Sequence, residues 1–336
     1  MTVQTDPRIS PFIELGNRLQ TLHSSVVEEL CTRTSNENPW FTPYYTRMAL
    51  QAVSKLMKAD ELASWINAHN QPATSKTVAL ILAGNIPLVG FHDFLCTLVM
   101  GHTAKIKLSS KDSALLRFVA GLLVEIQPSL SKQIIFEEQL SKPYHAVIAT
   151  GSDNSARYFE YYFGKVPHII RRNRSSCAVL TGAESPDEVV LLGTDVFSYF
   201  GLGCRNVSKL FVPYGYDFGS LLGPWEKYAD IIHHHKYCNN YDYQKSLMLI
   251  NQEPFLDSGF VMLKQSTQLV SPISVLFYEY YTDPVDLRAK LDAHADKIQV
   301  IIGKGGHDMV PFGEAQFPTL NDYADNVDTL AFLSAV

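Results

Sequence analysis

From Thr77 onward, short apolar runs alternate with helix-like segments, and this alternation limits the possible folds more than any other feature of the chain. The first run, TVALILAG, is apolar at nearly every position and ends in glycine, as expected of a strand buried on both faces. A helix-like segment follows at Gly90–Met100, and a second short strand at Thr103–Leu108. Strands that alternate with helices predict a parallel sheet with right-handed crossovers.

Further segments extend this pattern along the chain. We predict strands near Gln133–Phe136 and at Ala146–Ala149, CAVLTG, Lys209–Pro213, SLMLIN, GFVMLK, ISVLFYEYY and KIQVIIG. We predict helices at Ala114–Ile126, Val189–Phe200 and Val285–Asp296, and helical structure across residues 7–70 with a break at SNENPWFTP. The alternation restarts near Arg174, so we place a domain boundary there and expect residues 311–336 to return elsewhere.

Composition and charge exclude several classes of partner. The net charge is −6 and no long basic run occurs, which argues against nucleic acid or an anionic membrane as the main partner. The N-terminus MTVQTDPRIS has no secretory signal pattern. The apolar stretch Ala79–Gly101 carries Asn85, Pro87 and Asp93 near its middle, so a strand, a turn and a helix explain it better than a membrane span.

The cysteines indicate a reducing compartment, and we therefore expect a cytoplasmic protein. There are five of them, an odd number, and none forms a C-x-x-C pair. Only Cys204 has a context that suggests chemistry, because Gly201 and Gly203 let the backbone turn sharply beside it and leave room for a substrate carbonyl. Arg205 and Lys209 are close in sequence and would favour the reactive thiolate. The alternative is a packed cysteine after a helix.

Two loops that follow predicted strands are candidates for ligand binding. Asn85 directly follows the first strand, and ligands of open α/β sheets bind at the carboxyl ends of strands. Thr150-Gly151-Ser152 ends another strand and opens a helix, whose N-terminus suits a phosphate. Each could also be an ordinary turn or cap, and the G-x-G-x-x-G pattern is absent.

Taken in order, these segments resemble the aldehyde dehydrogenase superfamily over nearly the whole chain. GNIP, GHTAKIKLS, IATGS, GLGC and the late PFG resemble its oxyanion, ribose, pyrophosphate, nucleophile and C-terminal segments. The resemblance makes Cys204 and Asn85 the catalytic pair, Cys204 as nucleophile. It implies cofactor binding by Gly84, Ile86, Lys107, Ser109, Ser110, Thr150, Gly151, Ser152, Gln268, Pro311 and Phe312.

The resemblance also implies a fold class and a domain plan. The fold would be aldehyde-dehydrogenase-like α/β, with a Rossmann-type cofactor-binding domain and an α/β catalytic domain. Residues 1–174 would form N-terminal helices and the NAD(P)-binding domain, and residues 175–310 the catalytic domain. Residues 311–336 would return toward the cofactor domain.

Longer stretches, such as GLGCRNVSKLFVP, are similar to the acyl-CoA reductase family, which includes the fatty-acid reductase subunit of bacterial bioluminescence. Hydrolytic aldehyde dehydrogenases carry a general-base Glu in an E-L-G-G-K segment, whereas IIRRNRSSC stands here without a carboxylate. The E-x-F-G-P segment is replaced by QLVSP, with Gln268 near the Glu position. The family implies reduction of a fatty acyl-CoA to the aldehyde through an S-acyl-cysteine.

The resemblance extends to the cofactor and partners. Ser110 followed by Lys111 stands where NAD-preferring relatives place a Glu, which favours NADPH, with NADH as the alternative. The superfamily implies a homo-oligomer, and the bioluminescence relative implies an acyl-supplying protein partner. An acyl phosphate or carrier-protein thioester would serve the same cysteine, and a non-catalytic cofactor-binding subunit is the alternative from another class. We expect no metal at His233-His234-His235, since consecutive histidines do not converge on one ion.

Overall fold

The computed structural model describes residues 6–306 and 309–336, except for the side chain of Asp153, so residues 1–5 of the N-terminal segment considered above lie outside it. The chain divides into two compact units. The first contains the described residues up to Asn173 together with Thr319–Val336, and the second contains Arg174–Pro318. Residues 311–318 thus belong to the second unit, and the chain re-enters the first at Thr319. The functional roles predicted for these parts stay predictions.

The predicted helices are present close to their predicted positions, and helices at residues 218–225, 235–250 and 329–334 were not predicted. In chain order they are α1 (Ser10–Gln20), α2 (Ser24–Glu37), α3 (Pro43–Leu56), α4 (Ala59–Asn67), α5 (Phe91–Val99), α6 (Ala114–Ile126), α7 (Asp153–Phe163), α8 (Pro186–Phe197), α9 (Phe218–Trp225), α10 (His235–Ile250), α11 (Pro284–Asp292) and α12 (Thr329–Ser334). None of the helices among the described residues is long and apolar enough to cross a membrane.

The strands form one sheet in each unit. They are β1 (Thr77–Ile81), β2 (Thr103–Lys107), β3 (Ile134–Phe136), β4 (Ala146–Thr150), β5 (His168–Arg171), β6 (Ser175–Val179), β7 (Val207–Pro213), β8 (Leu256–Asp257), β9 (Met262–Gln265), β10 (Val275–Tyr281), β11 (Ile298–Ile302) and β12 (Met309–Val310).

The first unit is built on a parallel sheet of order β3-β2-β1-β4-β5. The central strand β1 is buried at its three middle residues, which agrees with the continuous apolar run that predicted it. Helices α5 and α6 contribute Phe94 and Leu115 to the same hydrophobic core. The C-terminal segment is attached to this sheet by the buried Arg171 guanidinium, which donates to Asp93 and Thr329.

The second unit is built on a sheet of order β12-β11-β6-β7-β10-β9-β8. Its strands pair in parallel except for the short β8, which is antiparallel to β9. Helix α8 begins with a capping box in which Ser185 and Glu188 satisfy each other's backbone N–H groups. The predicted α/β class is therefore confirmed in both units.

The predicted strand at SLMLIN is wrong, because this segment is the last part of helix α10 and its C-cap. The helix buries Tyr237, Tyr241 and Met248, which are spaced as one helical face. Ile250, in contrast, is 76% exposed. A short apolar run does not distinguish a strand from a helix, and the polar residues that precede it concealed the longer helical period.

Candidate active site

Nine of the predicted cofactor and substrate residues lie at one edge of the first unit's sheet. Strands β2, β1 and β4 are neighbours, and the register pairs Ile81 at the end of β1 with Lys107 and with Ala149. The residues at or just beyond the carboxyl ends of these strands are Gly84, Asn85, Ile86, Lys107, Ser109, Ser110, Thr150, Gly151 and Ser152. Strand order reverses between β1 and β4, which is where open α/β sheets bind ligands.

The loop after β1 packs tightly against the loop after β2. A Cβ built on Gly84 would lie 2.6 Å from Ser109 Oγ and 3.2 Å from the Asp112 backbone nitrogen, so only glycine fits there. The Gly84 carbonyl accepts a hydrogen bond of 3.2 Å from Asn38 Nδ2. These contacts fix the loop and leave Asn85 exposed to solvent.

A buried carboxylate supports the same loop, and sequence reasoning did not identify it. Asp112 Oδ2 accepts a hydrogen bond of 2.8 Å from the backbone N–H of Leu88, which has a left-handed φ of 59°. Burial raises the pKa of Asp112 to about 7, with a smaller increase from nearby Glu37, although the Leu88 hydrogen bond lowers it. The signal in the sequence was a lone Asp in the polar turn before an apolar helix.

The loop after β4 begins a helix whose N-terminus faces solvent. Ser152 is the N-cap of α7, and its Oγ accepts from the Ser155 backbone N–H at 3.3 Å. A Cβ on Gly151 would lie 2.8 Å from Ser155 Cβ and 2.9 Å from the Phe159 ring. The backbone therefore approaches the helix more closely than a larger residue allows.

The exposed groups at this edge fit a dinucleotide. Helix N-termini attract phosphate, Lys107 supplies an exposed cation, and the exposed hydroxyls of Ser110 and Ser152 can bind phosphate or ribose oxygens. Gly151 is partly exposed, and its N–H donates to the Arg171 carbonyl at 3.4 Å. The donor set is thus chemically suited to a nicotinamide dinucleotide.

In the second unit, Cys204 is half-buried in the turn between α8 and β7. Its carbonyl accepts a hydrogen bond of 2.9 Å from Ser176 Oγ. The preceding Gly203 N–H donates to Asn206 Oδ1 at 2.8 Å, and the Asn206 N–H donates back to the Gly203 carbonyl at 3.1 Å. Hydrogen bonds at Cys204 and at the residues on either side of it therefore restrain its backbone conformation.

The backbone just before this turn is strained. Tyr199, Phe200 and Gly201 have successive left-handed φ values of 50°, 58° and 77°. The predicted glycine turn is present at Gly201. Tyr199 and Phe200 also adopt the left-handed conformation, which costs roughly 1–3 kcal/mol for each of them. Burial offsets this cost, since both rings are buried and Phe200 packs on His234 with ring centroids 4.3 Å apart. Strain of this kind concentrates at functional sites.

The two cations near Cys204 in sequence have separate structural roles. Lys209 is fully buried in β7, forms an ion pair with Glu279 and lies over the Phe211 ring. Its charge is therefore neutralised locally by a carboxylate. Arg205 Nε donates to the carbonyl of Ala315. The expectation that both cations favour the Cys204 thiolate is therefore not supported for Lys209.

The remaining predicted cofactor residues lie in the second unit. Gln268 is exposed beyond β9, and its neighbour Leu269 accepts a hydrogen bond of 2.8 Å from Ser208 Oγ at the start of β7. Pro311 is exposed, whereas Phe312 is buried in the hydrophobic core of this unit. The roles of these residues in cofactor binding stay predictions.

Asp195 in α8 is the main site residue that sequence reasoning missed. Its side chain is fully buried, and its two oxygens accept hydrogen bonds of 2.7 and 3.0 Å from the N–H groups of Gly313 and Ala315. Burial raises the pKa of Asp195 to about 7, although these hydrogen bonds and Arg205 lower it. The available signal was a carboxylate in the apolar part of α8, after the acidic residues of its first turn.

The three consecutive histidines lie at a junction between helices. His233 ends a 3-10 helix, His234 caps α10 and His235 begins it. Among residues 6–306 and 309–336, no cluster of His, Cys, Asp and Glu side chains has the arrangement of a metal site.

Comparison with solved structures identifies the fold. No protein-family model and no curated protein matches the chain. A putative aldehyde dehydrogenase from Burkholderia cenocepacia superposes with a TM-score of 0.65 at 14% identity, covering 89% of this chain and 74% of that one. An aldehyde dehydrogenase from Mycobacterium tuberculosis complexed with NAD+ superposes with a TM-score of 0.62 at 13% identity, covering 92% and 83%. Indole-3-acetaldehyde dehydrogenase from P. syringae gives 0.65 at 12% identity, covering 90% and 72%.

The chain therefore has an aldehyde-dehydrogenase-like α/β fold, as the sequence resemblance predicted. The structures to which it is similar belong to the aldehyde dehydrogenase superfamily. At these identities the similarity concerns the fold, and the reaction has to be argued from the residues themselves.

Proposed function

We propose that this protein is an NAD(P)H-dependent acyl-CoA reductase that forms an aldehyde through an S-acyl intermediate on Cys204. The observation that carries the proposal is the half-buried cysteine in a turn whose backbone is bonded on both sides. A dinucleotide-compatible sheet edge in the first unit and the aldehyde-dehydrogenase-like fold support it.

Reduction is favoured over oxidation to a free acid because IIRRNRSSC, the segment that resembles the general-base segment of hydrolytic aldehyde dehydrogenases, carries no carboxylate. The segment IIRRNRSSC spans the end of β5 and the start of β6. The buried guanidinium of Arg171 in this segment donates hydrogen bonds to Asp93 and Thr329. Without a carboxylate to activate water, a thioester on Cys204 persists long enough to be reduced.

The proposed chemistry begins at the sulfur. The Cys204 thiolate forms a bond to the thioester carbon, the bond from that carbon to the CoA sulfur breaks, and CoA leaves as its thiolate. The Cys204 backbone N–H and the Asn85 amide are the proposed donors to the oxyanion, each worth about 3 kcal/mol of barrier. When bound, the reduced nicotinamide supplies the hydride that takes the acyl carbon to the aldehyde level. The Cys204 sulfur then leaves the carbon, and the carbonyl re-forms.

The first unit supplies the proposed cofactor contacts. Lys107 would bind the ribose, and Thr150, Gly151 and Ser152 the pyrophosphate at the N-terminus of α7. Ser110 and Lys111 are both exposed beyond β2. A hydroxyl and a cation at this place favour the 2′-phosphate of NADPH, and NADH is the secondary cofactor.

The test is aldehyde formation from a medium-chain acyl-CoA with NADPH, for wild type and two cysteine variants. Cys204→Ala should lower the rate by at least about a hundredfold because the acyl-carrying sulfur is lost. Cys238→Ala is the matched control, since Cys238 is also a half-buried thiol and lies in α10. Equal rates for wild type and Cys204→Ala would refute the proposal. Activity with an acyl phosphate but not with acyl-CoA would mean that the acyl donor is an acyl phosphate.

A further inference from the structure

One carboxylate connects helix α8 to a segment far along the chain. Asp195 Oδ2 and Oδ1 accept hydrogen bonds of 2.7 and 3.0 Å from the backbone N–H groups of Gly313 and Ala315. Asp195 is fully buried, so water does not compete for these bonds. The segment Gly313–Ala315 is therefore fixed to α8 by a side chain and not by a strand or helix of its own.

The same segment is bonded to the residue after the cysteine. Arg205 Nε donates to the Ala315 carbonyl, so Ala315 is bonded through its N–H to Asp195 and through its carbonyl to Arg205. Asn206 then returns to the helix, because its Nδ2 donates to the Asp195 carbonyl at 3.0 Å. Asp195, Ala315, Arg205 and Asn206 thus form a closed ring of bonded residues that includes the turn following Cys204.

The ring restrains Cys204 from both neighbours. Gly203 is bonded to Asn206, and Arg205 is bonded to Ala315, so the backbone on each side of Cys204 leads into the ring. We infer that Asp195 is a positioning residue for Cys204: its carboxylate fixes Gly313–Ala315, and through Arg205 and Asn206 this fixes the turn that carries the sulfur. The inference rests on the proposed function, in which Cys204 is the nucleophile.

Two charged groups act on Asp195 from the elements packed against it. Arg205, from the cysteine turn, lowers its pKa, and Glu314, from the bonded segment, raises it, while burial is the largest effect and brings it to about 7. A protonated oxygen becomes a donor and can no longer face a backbone N–H in the same way. The ring should therefore loosen as pH falls through about 7.

The test is the rate at which iodoacetamide alkylates Cys204, followed by peptide mass spectrometry across a pH series. This readout needs neither acyl-CoA nor cofactor. Asp195→Asn keeps the size but places an NH₂ donor against a backbone N–H. We expect its Cys204 alkylation to change by about fivefold or more above pH 8, where the wild-type carboxylate is ionised. The wild-type profile should show the thiol titration and a second step near pH 7, and the variant only the thiol step.

Asp283→Asn is the matched control, because Asp283 also accepts two backbone N–H groups but at the exposed start of α11. It should keep the wild-type rate and profile. If Asp195→Asn does not fold, Arg205→Lys, which keeps the positive charge but removes the Nε donor to Ala315, should change the alkylation rate in its place. A wild-type rate and profile in Asp195→Asn, or in Arg205→Lys where that variant is used, would overturn the inference. Absence of reductase activity in wild type, with the alkylation result as expected, would refute the proposed function alone.

Discussion

Asn206 donates a hydrogen bond of 3.0 Å from Nδ2 to the carbonyl of Asp195, eleven residues earlier in the chain. The same nitrogen donates to the Ser198 carbonyl at 2.8 Å, and Asn206 Oδ1 accepts from the Gly203 N–H. One buried amide thus satisfies three main-chain groups on both sides of the strained Tyr199–Gly201 segment. Cys204 lies within the turn that this amide closes.

Asn206→Ala should lower the free energy of unfolding by about 2–4 kcal/mol, because it leaves buried main-chain groups without their partner. Urea denaturation of the variant and wild type measures the difference. Asn240→Ala is the control, since the Asn240 side chain donates to the Lys236 carbonyl within α10. Its loss should be below about 1 kcal/mol. Similar losses in both variants would mean that the Asn206 network adds no particular stability.

Gly84→Ala should weaken NADPH binding and lower stability, because its Cβ would lie 2.6 Å from Ser109 Oγ and force the two loops apart. Gly121→Ala offers a matched control within α6, where a Cβ meets nothing within 4 Å. That change should raise stability by up to about 1 kcal/mol through helix propensity. Thermal unfolding and fluorescence titration with NADPH measure both effects. NADPH affinity unchanged in Gly84→Ala would remove this loop from the cofactor site.

Asp112 should make the folded state less stable as pH rises. Its pKa is about 7 in the folded protein and near 3.9 when unfolded, so the folded state binds more protons between these values. By linkage, this group's contribution to the unfolding free energy falls between about pH 4 and 7 and stays low above that range. Asp112→Asn removes the titration. Its stability relative to wild type should rise across this range by roughly 1–3 kcal/mol, as measured by urea denaturation. Parallel curves of unfolding free energy against pH for the two proteins would contradict a raised pKa of Asp112 in the folded state.

Ser110→Glu should depress NADPH use more than NADH use, because a carboxylate at this exposed position repels the 2′-phosphate and can bind ribose hydroxyls. The measurement is kcat/KM with each cofactor. Ser131→Glu, at an exposed serine in the 3-10 helix before β3, controls for added negative charge and should change neither value. Equal effects of Ser110→Glu on both cofactors would mean that the 2′-position of the adenosine ribose does not lie beside Ser110.

The sequence predicted helices and strands well wherever the apolar residues of a single element showed a clear helical or strand periodicity. Helix α6 begins and ends at the predicted residues Ala114 and Ile126, because its apolar positions and flanking polar turn are local signals. SLMLIN was misassigned because four apolar residues carry no period of their own, and the aromatic face of α10 begins ten residues before them.

Local sequence patterns suggested the motifs of the candidate site, but they did not indicate the side chains that support these motifs. Cys204 was suggested by adjacent glycines, and GNIP and TGS by their place after strands. Asp195 and Asp112 act on main-chain groups that are distant in the sequence or held in an unusual conformation, at Gly313, Ala315 and Leu88. No local pattern specifies such partners, so only the folded arrangement reveals them.

The most direct test of the central claim is the intact mass of the protein after mixing with a medium-chain acyl-CoA without reductant. The account predicts one added acyl group that is absent from Cys204→Ala, present in Cys238→Ala, and lost with release of aldehyde when NADPH is added. An acyl group that also appears on Cys204→Ala, or no acyl group across several chain lengths, would contradict the account.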